Sequence, residues 1–149
     1  MGTEWKIMND RPIYLQLTEQ IVQRIVSGQY PPASRLPSVR EFAVEAGVNP
    51  NTMQRAFAEL EREGLVTTNR TAGRIVTEDV KMIESIRGQL AAQKIQEFLD
   101  GMKLLGFTEG QTAKLLAQYA EHPALPGQME GVLLLGLHEE SVEKGEGVL

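Results

Sequence analysis

The sequence has no cysteine, and this absence excludes several classes of protein at once. Without thiols there is no disulfide framework, no thiolate nucleophile and no cysteine-based zinc or iron–sulfur site. The two histidines, His122 and His138, lack the spacing of a metal-binding pair. A glycine-rich phosphate loop and a hydroxyl nucleophile with a suitable base are missing from the sequence as well. We therefore expect neither an enzyme nor a bound cofactor or metal.

Long hydrophobic runs are also missing from the 149 residues. The longest, Val132–Leu135, is far too short to cross a bilayer, and the first residues do not have the pattern of a signal peptide. Hydrophobic residues make up 42% of the chain, enough for one compact domain or a small domain with an appendage. The sequence thus predicts a cytoplasmic protein that has no membrane contact.

The net charge is −5, but the charge is distributed unevenly. Residues 1–77 carry nine Lys/Arg against eight Asp/Glu, whereas residues 78–149 carry six against twelve. Eight of the nine basic residues in the first part are arginines, whose planar forks of donors suit phosphates and base edges. Because such asymmetry often separates a binding module from a different region, we predict two domains, 1–77 and 78–149.

The first domain has the pattern of a helix-turn-helix. Apolar spacing predicts a helix over Pro12–Val26, and a second helix begins after Ser38, which forms a capping box with Glu41. A third helix follows almost at once, with Asn49 as its N-cap and Pro50 as its first residue. Two helices joined by so short a turn are typical of this DNA-binding motif.

Two β-prone segments follow the third helix. They are Leu65–Thr68 and Arg74–Thr77, and the residues between them read as a turn. A helix-turn-helix followed directly by a small hairpin is the layout of a winged helix. We therefore predict a mainly α fold, with an N-terminal winged helix-turn-helix, a β-hairpin wing and a short C-terminal helical region.

The C-terminal region is predicted to be helical to about Met102, with a second helix that opens at Thr108 in a capping box with Gln111. We expect the tail after Gln128 to be poorly ordered. Two helices alone bury little surface, so their apolar stripes indicate a dimer contact. The predicted dimerisation residues are Ile83, Ile86, Leu90, Phe98, Leu99 and Met102. The stripe predicted for the last helix comprises Ala113, Leu116, Ala117 and Ala120.

The third helix carries the strongest functional signal. Opposite its apolar stripe lie Asn51 and Arg55, flanked by Thr52 and Gln54. These side-chain types match base-edge donors and acceptors, and they occupy the turns of a recognition helix that reach the major groove. Unpaired N–H groups at the start of the helix would favour the binding of a phosphate group. The alternative is a solvated polar face that binds nothing.

Four further arginines could extend this surface. Arg40 lies in the first turn of the second helix, and Arg35 lies in the connector before it, so either could meet a phosphate or a base. Arg70 and Arg74 flank the tip of the hairpin, where a basic tip can follow a phosphate backbone or enter a minor groove. Ordinary surface charge is the alternative for all four.

Residues 12–77 resemble the winged-helix domain of the GntR family of bacterial transcription regulators. The similarity is carried by PIYLQLTEQIVQRIVSGQYPP, SRLPSVREFAVEAGVNPNTMQRAFAELEREGLV and TTNRTAGRIVTED. The opening PIYLQ and the NPNTMQRA turn resemble the YtrA-like subfamily, which has a short helical C-terminal part. The resemblance implies DNA contacts by Arg40, Asn49, Asn51, Thr52, Gln54, Arg55, Arg70 and Gly73.

These observations predict a sequence-specific regulator that binds double-stranded DNA, a repressor acting as a homodimer on an inverted-repeat operator. The alternative from another class is a winged-helix module that binds proteins and no DNA. Whether a small-molecule effector exists is left open by the sequence. Where many GntR proteins have an arginine directly after the turn, this chain has Pro50, which has no N–H to donate.

Overall fold

The computed structural model describes residues 4–123, and it confirms the mainly helical fold with one hairpin. The predicted tail after Gln128 lies outside the described residues. The described helices and strands are α1 (Ile13–Val26), α2 (Val39–Ala46), α3 (Pro50–Arg62), β1 (Val66–Asn69), β2 (Gly73–Val76), α4 (Val80–Leu104) and α5 (Glu109–Glu121).

The helix starts follow from local capping chemistry. The predicted capping box is present, because the Ser38 hydroxyl accepts from the Glu41 N–H and the Glu41 carboxylate accepts from the Ser38 N–H. Pro50 is the first residue of α3, as predicted. Pro12, in contrast, is the N-cap of α1 and not its first helical residue, since its ψ of 134° lies outside the helical region. Between α2 and α3, Gly47 adopts a φ of 68°, which allows the tight turn.

The chain divides into two compact units, one ending at Leu90 and the other beginning at Ala91. In the first unit α1 and α2 both pack against α3. Phe42 of α2 and Phe57 of α3 are fully buried and stacked, with ring centroids 5.7 Å apart. Leu17 and Ile21 of α1 are buried in the same core. This core fixes which face of α3 is left for solvent.

The first turns of α4 belong to the winged-helix unit. Ile83 is 5% exposed in its core, and Ile86 and Leu90 pack against the same core. The compact unit therefore extends beyond the sequence-based boundary at residue 78, which marks the end of the hairpin. Three of the side chains predicted to contact a second subunit thus have packing partners within their own chain.

The wing is a two-stranded antiparallel hairpin that the connector before α2 extends on one side. Its register pairs Val66 with Val76. Arg35 forms an isolated bridge with Ile75, and the Leu36 N–H donates to the Arg74 carbonyl at 2.9 Å. The hairpin is thereby held against the helical part of the domain through main-chain hydrogen bonds.

In the second unit, α5 begins with the predicted capping box between Thr108 and Gln111. Its buried residues are Thr112 and Leu115, whereas the predicted stripe of Ala113, Leu116, Ala117 and Ala120 is exposed. In the single chain this apolar stripe is therefore left in solvent. The Thr112 hydroxyl donates to the Thr108 carbonyl at 2.8 Å, which allows a polar residue to occupy a buried position.

Candidate nucleic-acid interface

The exposed face of α3 carries the residues that the sequence singles out on this helix. Its buried face consists of Met53, Ala56, Phe57 and Leu60, which are fully buried. Asn51, Gln54 and Arg55 are exposed on the other side, and Thr52 is half-buried between the faces. The helix thus presents polar side chains from its first two turns to solvent.

At the start of α3 the N–H groups of Asn51 and Thr52 are engaged within the chain, which contradicts the expectation that they are unpaired. The Asn49 side-chain oxygen accepts from the Asn51 N–H at 2.8 Å. The Asn49 carbonyl accepts from Thr52 at 3.0 Å and from Met53 at 3.2 Å, and Pro50 has no N–H. Asn49 therefore acts first as the cap of the helix. Contacts from the first helical residues of α3 must therefore come from their side chains.

Arg55 is held by an aromatic ring. Its guanidinium carbon lies 3.7 Å from the centroid of the Tyr14 ring, in the first turn of α1. These two side chains, with Asn51 and Thr52, line an open cleft between the starts of α1 and α3. From the sequence alone, Tyr14 belongs to the apolar stripe of α1. Helical spacing cannot show that Arg55 of a neighbouring helix lies beside it.

Arg74 joins the wing to α3 and does not serve as a free cation at the tip. Its Nε lies 3.2 Å from the Glu61 carboxylate, and its Nη2 donates to the Gln54 side-chain oxygen at 3.4 Å. The guanidinium also lies 4.9 Å from the centroid of the Phe57 ring. The Thr68 hydroxyl donates to the same Glu61 carboxylate. Gln54 is therefore partly engaged within the protein, although it was predicted to face DNA.

Arg35, Arg40 and Arg70 are exposed, and within residues 4–123 their side chains make no ion pair or hydrogen bond. Arg35 lies along the wing, with its Nε 3.7 Å from the position that a Cβ on residue 73 would take. Gly73 itself adopts a φ of +80°, which side chains rarely allow. Three exposed cations, on the connector, on α2 and at the wing tip, are therefore free of partners within residues 4–123.

The tip of the wing is shaped by an asparagine. The Asn69 side-chain oxygen accepts from the Thr71 N–H and from the Thr71 hydroxyl, both at 2.9 Å, and from the Ala72 N–H at 3.3 Å. Asn69 thus closes a local turn at the tip of the wing. It leaves the exposed Arg70 side chain at the tip.

The sequence matches the profile of the bacterial regulatory proteins of the gntR family over residues 13–76. It is 35% identical over 116 residues to the uncharacterised HTH-type transcriptional regulator YhcF of Bacillus subtilis, covering 78% of this chain and 96% of YhcF. It is 37% identical over 91 residues to the HTH-type transcriptional repressor YtrA of the same organism, covering 60% of this chain and 70% of YtrA. The chain is a YtrA-like member of the GntR family.

The fold of this GntR regulator agrees with that of solved relatives. A GntR family transcriptional regulator from Listeria monocytogenes superposes with a TM-score of 0.70 at 36% identity, over 75% of this chain and 98% of that one. The predicted family is thus confirmed, and the chain is a DNA-binding transcription regulator and not an enzyme. Among the described helices, none is long and apolar enough to cross a membrane.

The contact between Arg74 and Glu61 should stabilise this GntR regulator. We expect Glu61→Ala to lower the free energy of unfolding by about 1 kcal/mol, because it removes an acceptor shared by the Arg74 guanidinium and the Thr68 hydroxyl. Urea denaturation followed by circular dichroism measures this. The matched control is Glu78→Ala, at an exposed glutamate with no ion pair in residues 4–123. Equal effects of the two substitutions would contradict the anchoring role.

Proposed function

We propose that this protein is a sequence-specific transcription repressor that acts in the cytoplasm as a homodimer on an inverted-repeat operator. Each protomer would place α3 in a major groove, with the wing along the adjacent backbone. The observation that carries the proposal is the exposed polar face of α3, together with three exposed arginines on the connector, on α2 and at the wing tip that have no acidic partner in residues 4–123. A relative that is 37% identical is named as a repressor, which supports repression over activation.

The α3 face supports base reading, and the exposed arginines on the connector, α2 and the wing support phosphate contact. Asn51 and Arg55 are exposed and of types that pair with adenine and guanine edges. Arg70 at the wing tip is suited to a phosphate. Arg40 is in the first turn of α2 and could contact either. A module that binds only proteins would have no need for this combination, and family membership weighs against that alternative.

The second unit supports the homodimer. Its apolar groove is lined by Phe98, Met102, Thr112, Leu115, Leu116 and Tyr119. Phe98, Leu116 and Tyr119 are each more than 40% exposed, so a single copy leaves them in water. A twofold contact would bury this surface on both chains. We therefore base the dimer proposal on Phe98, Leu99 and Met102, since Ile83, Ile86 and Leu90 already pack within one chain.

The groove has little that would recognise a metabolite. Its lining is hydrophobic apart from Thr112 and the Tyr119 hydroxyl, and the Thr112 hydroxyl already donates to a backbone carbonyl. Small-molecule sites need several polar groups placed to fix the orientation of the ligand. A contact between subunits therefore suits this surface better than an effector site.

Substitutions should separate base reading from phosphate contact. Arg55→Ala and Asn51→Ala should each cost roughly 1–3 kcal/mol in binding and relax the preference at one base pair. Arg70→Ala should weaken binding to all sequences alike. It should also reduce by about one the slope of the logarithm of the binding constant against the logarithm of the salt concentration. The affinities are measured by fluorescence anisotropy on duplexes selected by the unaltered protein from a randomised library.

The control is Lys94→Ala, at an exposed lysine of the second unit, which should leave binding unchanged. Arg40→Ala is informative in either direction, because a relaxed preference assigns Arg40 to a base and a uniform loss assigns it to a phosphate. If Arg40→Ala and Arg55→Ala both leave the affinity unchanged at fixed salt, the proposed surface is wrong.

A further inference from the structure

We infer that Tyr14 is a positioning residue for DNA recognition, which sets the orientation in which Arg55 reads a base. The inference rests on the proposed role of α3, and it adds a residue from a different helix to the recognition surface. The Tyr14 ring lies in the first turn of α1, which packs against α3, and the Arg55 guanidinium carbon is 3.7 Å from its centroid. This separation is well within the range of a cation–π contact.

The contact differs from those of the arginines that form ion pairs. Arg11, Arg62 and Arg74 each direct guanidinium N–H groups to a carboxylate, so those donors are already engaged. The Tyr14 ring instead holds the guanidinium of Arg55 through its flat face. Within residues 4–123, no carboxylate or carbonyl accepts from the Arg55 guanidinium. The five N–H donors at the edge of the group therefore stay available.

An ordered guanidinium with a free edge is suited to one kind of ligand. Arginine reads guanine by donating two parallel hydrogen bonds to O6 and N7, and this requires the plane of the guanidinium to be aligned with the base. A ring that fixes the plane of the guanidinium before DNA is bound reduces the side-chain conformational entropy lost on binding. Tyr14 and Arg55 line the same open cleft as Asn51 and Thr52, so the aligned edge lies among the other exposed polar groups at the start of α3.

Tyr14 is poorly explained as a core residue. It is half-buried, whereas the α1 residues that fill the core, Leu17, Ile21 and Ile25, are almost completely buried. Its hydroxyl makes no hydrogen bond within the described part of the chain. The ring therefore contributes mainly the surface on which Arg55 lies.

The test compares four variants of the full chain: Tyr14→Phe, Tyr14→Leu, Arg55→Ala and the double variant Tyr14→Leu/Arg55→Ala. The probes are duplexes selected by the unaltered protein from a randomised library, together with the duplex altered at the base pair whose preference Arg55→Ala relaxes. Discrimination is the ratio of the two dissociation constants at fixed salt. Since both constants come from one preparation, a smaller fraction of folded protein does not change the ratio.

We expect Tyr14→Phe to keep the discrimination, because the ring is retained. Tyr14→Leu should reduce it by ~2- to 5-fold at that base pair and leave other positions unchanged. In the double variant, the leucine should have no further effect on discrimination, because the residue that it positions is gone.

Three results would overturn the inference. A uniform loss of affinity on every duplex with Tyr14→Leu, complete loss included, would assign the ring to the fold. Equal effects of leucine with and without Arg55 would show that the two side chains act independently. If Arg55→Ala relaxes no base pair but Asn51→Ala does, Arg55 reads no base and the positioning role fails, while the proposed recognition face stands.

Discussion

A protein carrying Phe98→Glu should sediment as a monomer at concentrations where the unaltered chain sediments as a dimer. Phe98 is 42% exposed in the single chain, so the substitution should cost little within a protomer. In a twofold contact it would place a carboxylate in an apolar groove beside Met102 and Leu115, where an unpaired charge is strongly unfavourable. Operator affinity should fall by ~10²–10⁴-fold, because each half-site is then bound without the second.

Sedimentation equilibrium measures the mass, and footprinting on a selected operator shows how the protein occupies it. The unaltered protein should protect two half-sites with centres about 34–36 Å apart or at a multiple of that distance. The control is Val44→Glu, which introduces the same charge at an exposed valine of α2 in the other unit and should leave the mass unchanged. A dimeric Phe98→Glu protein, or a footprint with one unrepeated site, would contradict the proposed assembly.

Phe57→Ala should lower the free energy of unfolding by roughly 3–5 kcal/mol, because it leaves a cavity at the centre of the winged-helix core. Phe57 is completely buried, and its ring is stacked on that of Phe42. The guanidinium of Arg74, from the wing, lies 4.9 Å from the centroid of the same ring. The loss is a large share of the total stability of a small domain, which is about 5–15 kcal/mol. The substitution should therefore leave the recognition helix poorly supported.

Urea denaturation of the full chain, followed by circular dichroism, measures the change. Phe57→Leu is the matched variant, because it keeps an apolar side chain in the same position and should cost only roughly 1–2 kcal/mol. If alanine and leucine had the same small effect, the ring could not be a central element of the core.

The helix starts and the wing could be predicted from the sequence because their causes are local. A serine three residues before a glutamate, or an asparagine before a proline, satisfies backbone donors within one turn, and both caps are present in the structure. The buried stripe of α3 was also predictable, since Met53, Phe57 and Leu60 follow helical spacing. From this stripe the exposed face of α3 followed directly.

The contacts that sequence reasoning missed join residues that are far apart in the chain. Arg55 lies on Tyr14 because α1 packs beside α3, and Arg74 reaches Glu61 because the hairpin folds back against the same helix. Periodicity shows that a face is apolar but not which surface covers it. For this reason Ile83 was assigned to a second subunit although it packs in its own winged-helix core.

The capped start of α3 bears on how such regulators diverge. Backbone donors are the same whichever residues occupy a turn, so contacts made through them would pass unchanged to every descendant. Here Asn49 accepts from the N–H groups of Asn51 and Thr52, so under the proposed function the sequence preference would rest on the side chains at positions 51, 52 and 55, none of which is fully buried. Under the proposed function, substitutions at these positions should change the operator preference while the cap and the core beneath them stay the same.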